Sequence, residues 1–246
     1  MSLATEIATP AGKRRYVRRL FATIADRYDF ITTFLSYGQD RRWKQRLIGL
    51  ASPGRGARAL DLATGTGDIA FGLAARGADV VGLDVTQRMI ELARAKIDRR
   101  PAQGAVEGPL VRFTVGDMLA LPFPGRSFDI VTVGYGLRNV PDLGVALDEI
   151  SRVLRPGGCL LSLDFNRPRN RAMRILYLGY LTIVGGLLGW ALHGDPDTYR
   201  YIPASLRVYP GAGGVAAMIR DRGFSDVVHH AVLFGLMSIH EARRDR

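Results

Sequence analysis

The chain has 246 residues, enough for one sizeable buried core, and its 47% hydrophobic and 23% charged residues lie near the averages for soluble globular proteins. That balance excludes a disordered chain and a polytopic membrane protein. The formal net charge of +11 is concentrated at the start, where residues 1–50 hold ten Lys/Arg against four Asp/Glu. The single cysteine, Cys159, rules out an intrachain disulfide and a cysteine-rich metal site; beside Leu160 and Leu161 it reads as strand core.

The first ten residues carry no apolar run of the length a secretory signal needs, so a cytoplasmic protein is expected. Residues 13–50 read as a basic helical region. Within it Tyr16, Val17, Leu20, Phe21, Ile24, Ala25 and Tyr28 recur at helical spacing with arginines between them. Two readings stay open: an amphipathic helix on the anionic inner face of a membrane, or a helix packed on the domain with its arginines solvated.

After Pro53-Gly54, short apolar runs alternate with amphipathic stretches, the pattern of a parallel sheet with crossover helices. Strands are predicted over 57–62, 79–83, 111–115, 128–133 and 159–164, and helices over 68–76, 87–99 and 143–154. Pro156-Gly157-Gly158 reads as the cap that ends the last of these helices. A helix over 215–222, broken at Gly223, precedes an expected antiparallel hairpin of 227–232 and 236–240 at the sheet edge. Glu241 to Arg246 reads as a solvated tail.

Residues 167–214 interrupt this order as an insertion. Its centre, 175–192, is eighteen residues without a charge, at the lower bound for a transmembrane helix. Gly179, Gly185, Gly186 and Gly189, together with the internal position, weigh against a span. The favoured reading is a helical cap lining an apolar pocket, ahead of monotopic membrane contact and then a true span.

The loop Asp61-Leu62-Ala63-Thr64-Gly65-Thr66-Gly67-Asp68 leaves a predicted strand and opens a helix, so its backbone can approach a ligand closely. Gly65-x-Gly67-x-x-Ala70 also satisfies the dinucleotide fingerprint. Asp61 shifts the balance: a carboxylate there suits the cationic methionyl end of S-adenosylmethionine, directly or through water, and repels a pyrophosphate. Asp84, followed by Val85, ends the second strand, where a carboxylate can accept both ribose hydroxyls; NAD enzymes share that feature. Gly116-Asp117-Met118 ends the third with an acid for the adenine amine and a methionine for the ring face, although Asp117 also reads as a turn cap. These strand ends look like the class I methyltransferase pattern. That implies one α/β domain over 1–246 with a Rossmann-like, mostly parallel seven-stranded sheet, a C-terminal antiparallel hairpin and a helical cap insertion.

More specific motifs run along nearly the whole chain: Tyr28-Asp29, Ser36-x-Gly38, Arg42-Trp43-Lys44, Leu121-Pro122-Phe123, Gly136-Leu137-Arg138-Asn139, Tyr199-x-Tyr201, Ser205-x-Arg207 and Tyr209-Pro210. They resemble the UbiE/MenG family of quinone-biosynthesis C-methyltransferases, of which Gly136-Leu137-Arg138-Asn139-Val140 is particularly characteristic. The resemblance implies S-adenosylmethionine as cofactor and a polyprenyl quinol ring, in menaquinone or ubiquinone biosynthesis, as methyl acceptor. By motif it makes Thr66, Asp84, Asp117, Met118 and Gly134 cofactor contacts, beside Asp61, Thr64, Gly65, Gly67 and Val85 of the strand-end reading. Arg138 and Asn139 are expected to orient and polarise a ring hydroxyl, with Arg138 stabilising the phenolate because a guanidinium cannot take the proton. Tyr28 and Asp29 complete an expected proton path; their plainer readings are a buried aromatic and a surface salt bridge. The chain departs from the family at Thr32-Thr33, usually Asn-Asp, at Asp40, usually His, and at Gly134, commonly serine.

A nucleic-acid methyltransferase is disfavoured despite the positive charge. Gly134-Tyr135-Gly136-Leu137-Arg138 stands where an amino-directed enzyme carries an Asp/Asn-Pro-Pro-Tyr pattern, and Cys159 is too embedded to be a pyrimidine nucleophile. A noncatalytic cofactor-binding scaffold is disfavoured by the intact loop with Arg138-Asn139. No metal is expected, since the four histidines do not cluster and His229 and His230 point to opposite faces of a strand. The expected partner is a lipophilic quinol; contact with an anionic membrane and homo-oligomerisation stay open.

Overall fold

The computed structural model describes residues 3–99, 110–168 and 170–246. Helices α1 (Leu3–Glu6), α2 (Pro10–Ile24), α3 (Tyr28–Leu35) and α4 (Asp40–Ala51) precede the sheet. Then follow β1 (Arg58–Leu62), α5 (Asp68–Ala74), β2 (Asp79–Asp84), α6 (Gln87–Asp98), β3 (Val111–Val115), β4 (Phe128–Gly134), α7 (Leu143–Val153) and β5 (Leu154–Phe165). The insertion supplies α8 (Arg171–His193) and α9 (Asp197–Val208), and α10 (Gly211–Arg220), β6 (Phe224–Val232) and β7 (Met237–Arg244) end the chain. The strand order is β3-β2-β1-β4-β5-β7-β6, parallel except that β7 runs antiparallel to both neighbours.

β1, β4 and the second half of β5 are covered by helices on both faces, which is why they read as nearly continuous apolar runs. The order reverses beside β1: β2 and β3 lie on one side, β4 and β5 on the other. The carboxyl ends of β1 and β4 therefore open onto the crevice where such sheets take their ligands.

Two expectations need correction. Helix α7 ends at Val153 with Leu154 already extended, so Pro156-Gly157-Gly158 lies inside β5 and caps nothing. The carbonyls of Arg152 and Val153 accept instead from the amides of Arg126 and Ser127, at 2.9 and 2.7 Å, so the helix is stopped by pairing with the chain that enters β4. Glu241 to Arg244 are not a tail but part of β7, held between β5 and β6 with Ala242 fully buried. The last two strands form the expected antiparallel hairpin at the sheet edge, with β6 outermost.

The insertion forms its long helix through the glycines that weighed against a membrane span. A Cβ on Gly185 would stand 3.1 Å from the Tyr199 carbonyl oxygen, and one on Gly189 only 2.4 Å from that of Asp195. These glycines let the α9 segment lie directly against α8, and that packing offsets a propensity loss of about 1 kcal/mol per glycine. Helix α2 is capped by Thr9, whose Oγ1 accepts from the Gly12 amide at 3.1 Å, with Pro10 at its first position. Its apolar stripe, Tyr16, Val17, Leu20 and Ile24, is buried in one cluster with Tyr199 and Tyr201 of α9. Of the two readings of the basic helix, packing on the domain is the one this face adopts.

Candidate active site

The loop after β1 wraps around a buried carboxylate. Asp61 accepts from Thr64 Oγ1 at 2.6 Å and from Thr132 Oγ1 at 2.7 Å, its cross-strand neighbour on β4. Burial pushes this carboxyl up to about 6 against those hydrogen bonds. Gly65 and Gly67 take φ of 54° and 90°, the left-handed conformation glycine adopts without strain, which turns the chain into α5. Asp84, at the end of β2, reaches beneath the loop: Oδ2 accepts from the Gly65 amide and Oδ1 from the Thr86 amide, each at 2.9 Å.

Above this lies a cleft lined by Gly65, Asp84, Val85, Asp117, Met118, Gly134 and Asn139, with Arg14, Val17, Arg18 and Phe21 of α2 as its roof. Asp117 accepts from the Leu119 amide at 3.0 Å, the turn-cap arrangement, and its other oxygen pairs with Arg14 at 3.5 Å across the cleft. The cleft suits S-adenosylmethionine on an observation of its own. Asn139 Nδ2 donates to the Tyr135 carbonyl at 2.7 Å, while the buried Asn139 Oδ1 has no partner among the described residues, leaving an acceptor for a ligand donor.

Of the expected cofactor residues, the fold brings Gly65, Asp84, Val85, Asp117, Met118 and Gly134 to this cleft. Asp61 and Thr64 lie under the loop and shape it from within. Thr66 faces away: its Oγ1 donates to Asp29 at 2.6 Å and accepts from Lys96 at 2.8 Å.

A second cavity, of about 630 Å³ and almost wholly apolar, opens beside the first beneath α3, α8 and α9. Phe21, Tyr28 and Tyr135 line both, so the two spaces meet at these three rings. Among the described residues the larger cavity has one cationic side chain in its wall. Arg138, 4% exposed, pairs through Nε with Asp164 Oδ1 at 3.3 Å, donates through Nη1 to Ser205 Oγ at 2.5 Å, and stacks over Phe165 and Tyr201 with Cζ 5.2 and 5.8 Å from the ring centres. The backbone amide of Arg138 donates to the other Asp164 oxygen at 3.0 Å, and Lys13 Nζ donates to the carbonyls of Arg138 and Val140 at 3.0 and 2.6 Å. Burial, together with the Arg138 charge, lowers the Lys13 amine to about 8.

Tyr28, expected in the proton path, lies between the two cavities, with burial pushing its phenol upward. Asp29 does not; it lines a separate polar groove and pairs with Lys96 at 2.8 Å. Asp164, Ser205 and Lys13 were not assigned from the sequence. Asp164 had a readable signal, a lone carboxylate ending an apolar strand, as Asp84 does; Ser205 stood in a quoted motif without a role; Lys13 is indistinguishable from its basic neighbours. Among the described residues no group of three or more His, Cys, Asp and Glu side chains could hold a metal ion. Cys159 is core, its thiol pushed up to about 11 by burial.

A reversed parallel sheet with an antiparallel final hairpin, an acid at the end of β2 and a glycine turn after β1 define a class I, S-adenosylmethionine-dependent methyltransferase. Solved structures share the fold: a SAM-dependent methyltransferase from Thermotoga maritima matches 93% of this chain and 100% of its own at a TM-score of 0.65 and 18% identity. Phosphoethanolamine N-methyltransferase 2 of Haemonchus contortus, in complex with S-adenosyl-L-methionine, matches 83% of this chain and 53% of its own at a TM-score of 0.61 and 15% identity. A profile of the ubiE/COQ5 methyltransferase family matches residues 9–244, and the chain belongs to that family. It is 42% identical to the demethylmenaquinone methyltransferase of Thermus thermophilus over 92% of this chain and 100% of that one. It is 35% identical to the ubiquinone/menaquinone biosynthesis C-methyltransferase UbiE of Geobacter sulfurreducens over 96% of this chain and 90% of that one.

Proposed function

We propose that this enzyme methylates a ring carbon of a polyprenyl quinol, in menaquinone or ubiquinone biosynthesis, and that Arg138 holds the ring hydroxyl. One observation carries this reading: a single buried guanidinium stands in the wall of an otherwise apolar cavity that joins the cofactor cleft. Bound S-adenosylmethionine supplies an electrophilic methyl group. The protein's part is to hold the ring at the junction of Phe21, Tyr28 and Tyr135, to exclude water, and to stabilise negative charge on the ring oxygen, which raises electron density at the adjacent carbon. Asp84, Val85, Asp117, Met118 and Gly134 hold the cofactor, as does Asn139, which was expected on the ring hydroxyl but lines the cofactor cleft and not the apolar cavity, with Asp61, Thr64, Gly65 and Gly67 shaping the loop beneath it. Tyr28 orients the ring edge, and Asp29 with Thr66 acts from outside by tying α3 to the loop.

The insertion over 167–214 acts as the substrate cap. Met173, Leu176, Tyr180, Tyr37 and Phe234 line the cavity and are exposed, and Ile183, Leu187 and Trp190 continue the outward face of α8. That helix is long and apolar enough to cross a membrane by length and composition. Its glycine face is packed on α9, so we read it as lying on a bilayer, where a prenyl tail enters from the lipid.

The reading is tested with purified protein, labelled S-adenosylmethionine, and reduced demethylnaphthoquinol or methoxybenzoquinol as sole acceptor, with RNA as a control. Label in either quinol supports it; label in neither rejects the substrate.

A further inference from the structure

C-methylation of a ring that regains its aromaticity releases one proton from the carbon that takes the methyl group, and Arg138 cannot accept it. A hydrogen-bonded pair, half-buried Tyr135 at the junction of the cavities and buried Asp40 behind it, has no assigned part in that proton's path. Tyr135 follows β4 with φ of 57°, a left-handed conformation that costs a non-glycine residue about 1–2 kcal/mol. The strain is held in place on both sides: its amide donates to Leu163 O at 2.7 Å and its carbonyl accepts from Asn139. The effect is to put the phenol side chain in the wall shared by the cofactor cleft and the apolar cavity.

The Tyr135 hydroxyl donates to Asp40 Oδ1 at 2.6 Å. Asp40 is itself buried, and its Oδ2 pairs with Lys44 Nζ at 2.6 Å, while Lys44 also reaches Asp68 at 3.0 Å. Asp40 and Lys44 belong to a different space, the polar groove they line with Asp29, Asp68 and Lys96. One phenol–carboxylate hydrogen bond therefore crosses the wall between the apolar reaction space and a groove open to water. Burial and the Asp40 charge raise the Tyr135 phenol well above its usual value, so it stays protonated and passes a proton on rather than storing one as a base.

We propose that Tyr135 and Asp40 carry the ring proton out of the active site. When the new C–C bond has formed from the ring π electrons, the C–H bond at that carbon breaks and its electron pair restores the aromatic ring. The proton goes to Tyr135 Oη as the Tyr135 proton moves to Asp40 Oδ1, and Asp40 then releases it to water in the groove, with Lys44 stabilising the regenerated carboxylate. Tyr135 is the catalytic residue of this step and Asp40 acts through it.

The inference rests on the quinol reading, and the test separates the two. The acceptor is a quinol carrying deuterium at the methyl-accepting carbon, compared with its protium form in wild type, Tyr135→Phe, Asp40→Asn and Asp40→Glu. Calorimetric titration with S-adenosylhomocysteine reports folding and cofactor affinity independently of turnover; Lys44 keeps Asp68 in Asp40→Asn, so the α4–α5 contact survives. We expect unchanged cofactor affinity, kcat at least about tenfold lower in Tyr135→Phe and Asp40→Asn, a kH/kD that rises from near one to above about two, and partial recovery of both in Asp40→Glu. A kcat loss without an isotope effect makes the pair structural and overturns the relay, as does a kcat within twofold of wild type. Wild-type failure on every quinol overturns the substrate reading and the relay with it.

Discussion

Arg138 and Asp164 are bound twice, side chain to side chain at 3.3 Å and backbone amide to carboxylate at 3.0 Å, so the end of β5 fixes both the charge and the turn that carries it. Burial raises the Asp164 carboxyl and the Arg138 charge is the largest influence holding it down. Removing one member of such a pair leaves an uncompensated buried charge. Asp164→Asn should lower unfolding free energy by about 3–5 kcal/mol in urea denaturation. Arg138→Ala should abolish transfer to quinol while sparing cofactor binding. The double variant Arg138→Met, Asp164→Asn should regain much of the stability and remain inactive. Equal stability of Asp164→Asn and wild type would show that the pair is solvated and the cavity wall misread.

Asp84 is the carboxylate on which the cofactor loop is hung, and it lines the cleft as well. Losing a charge-assisted hydrogen bond costs about 1.5–3 kcal/mol, so Asp84→Ala should raise the Kd for S-adenosylmethionine about 10- to 100-fold by calorimetry. Thr132→Val touches no ligand and removes one donor from Asp61. Its effect should stay below about tenfold, and a larger loss than that of Asp84→Ala would put Asp61 in direct contact with the cofactor.

His240 lies in β7 with Nε2 2.9 Å from the Ala212 carbonyl and Nδ1 3.2 Å from Ser162 Oγ, which fixes the neutral tautomer with its proton on Nε2. Burial lowers its pKa to about 4. A base depressed in the folded state contributes its full stability above about pH 6.5 and loses it as pH falls toward 4, about 3 kcal/mol in all. Asp61, raised to about 6, acts with the opposite sign: its burial destabilises the fold at neutral pH, and that cost fades as pH falls from 6 toward 4. Between pH 7 and 4.5 the contributions of these two groups therefore oppose each other. The His240→Gln variant should gain relative stability as pH falls, by about 2 kcal/mol between pH 6.5 and 5, in paired thermal melts. Parallel wild-type and variant curves would mean His240 titrates normally.

The centre of the sheet was legible because β1, β4 and the second half of β5 are buried on both faces; Asp61, Asp84 and Asp117 mark strand ends, and the glycines of Gly65-Thr66-Gly67 mark the turn. What composition hid was competition between local and tertiary preference. Pro156-Gly157-Gly158 carries turn chemistry, yet sheet pairing at Arg126 and Ser127 stops the helix first. Arg243 and Arg244 look like a tail because charge dominates any reading that cannot see hydrogen bonds on both sides of β7. Gly185 and Gly189 look like helix breakers until α9 supplies the neighbour that needs them small. In the site, Arg138 was readable by motif, but its partners Asp164 and Ser205 lie 26 and 67 residues away, and Tyr135 acquires its link to Asp40 only through the fold.

The outward face of α8 is apolar and solvent-exposed. Leu176, Ile183, Leu187 and Trp190 are each more than 60% exposed, and Phe234, beside the cavity mouth, is 95% exposed. Arg171 and Arg174 sit at the start of the helix and Arg27 holds the Leu192 carbonyl at its end, so cations flank an uncharged stripe, the distribution of a helix lying in an anionic interface. Wild-type protein should float with vesicles containing phosphatidylglycerol, with Trp190 emission shifting to the blue, and much less with phosphatidylcholine alone. Leu187→Glu with Trp190→Glu should abolish flotation, leave cofactor affinity unchanged, and raise KM for a long-tailed quinol far more than for a short-tailed one. A wild type that stays in solution with both vesicles and dissociates from a dimer when the same two residues are changed would instead assign this face to a second copy of the chain.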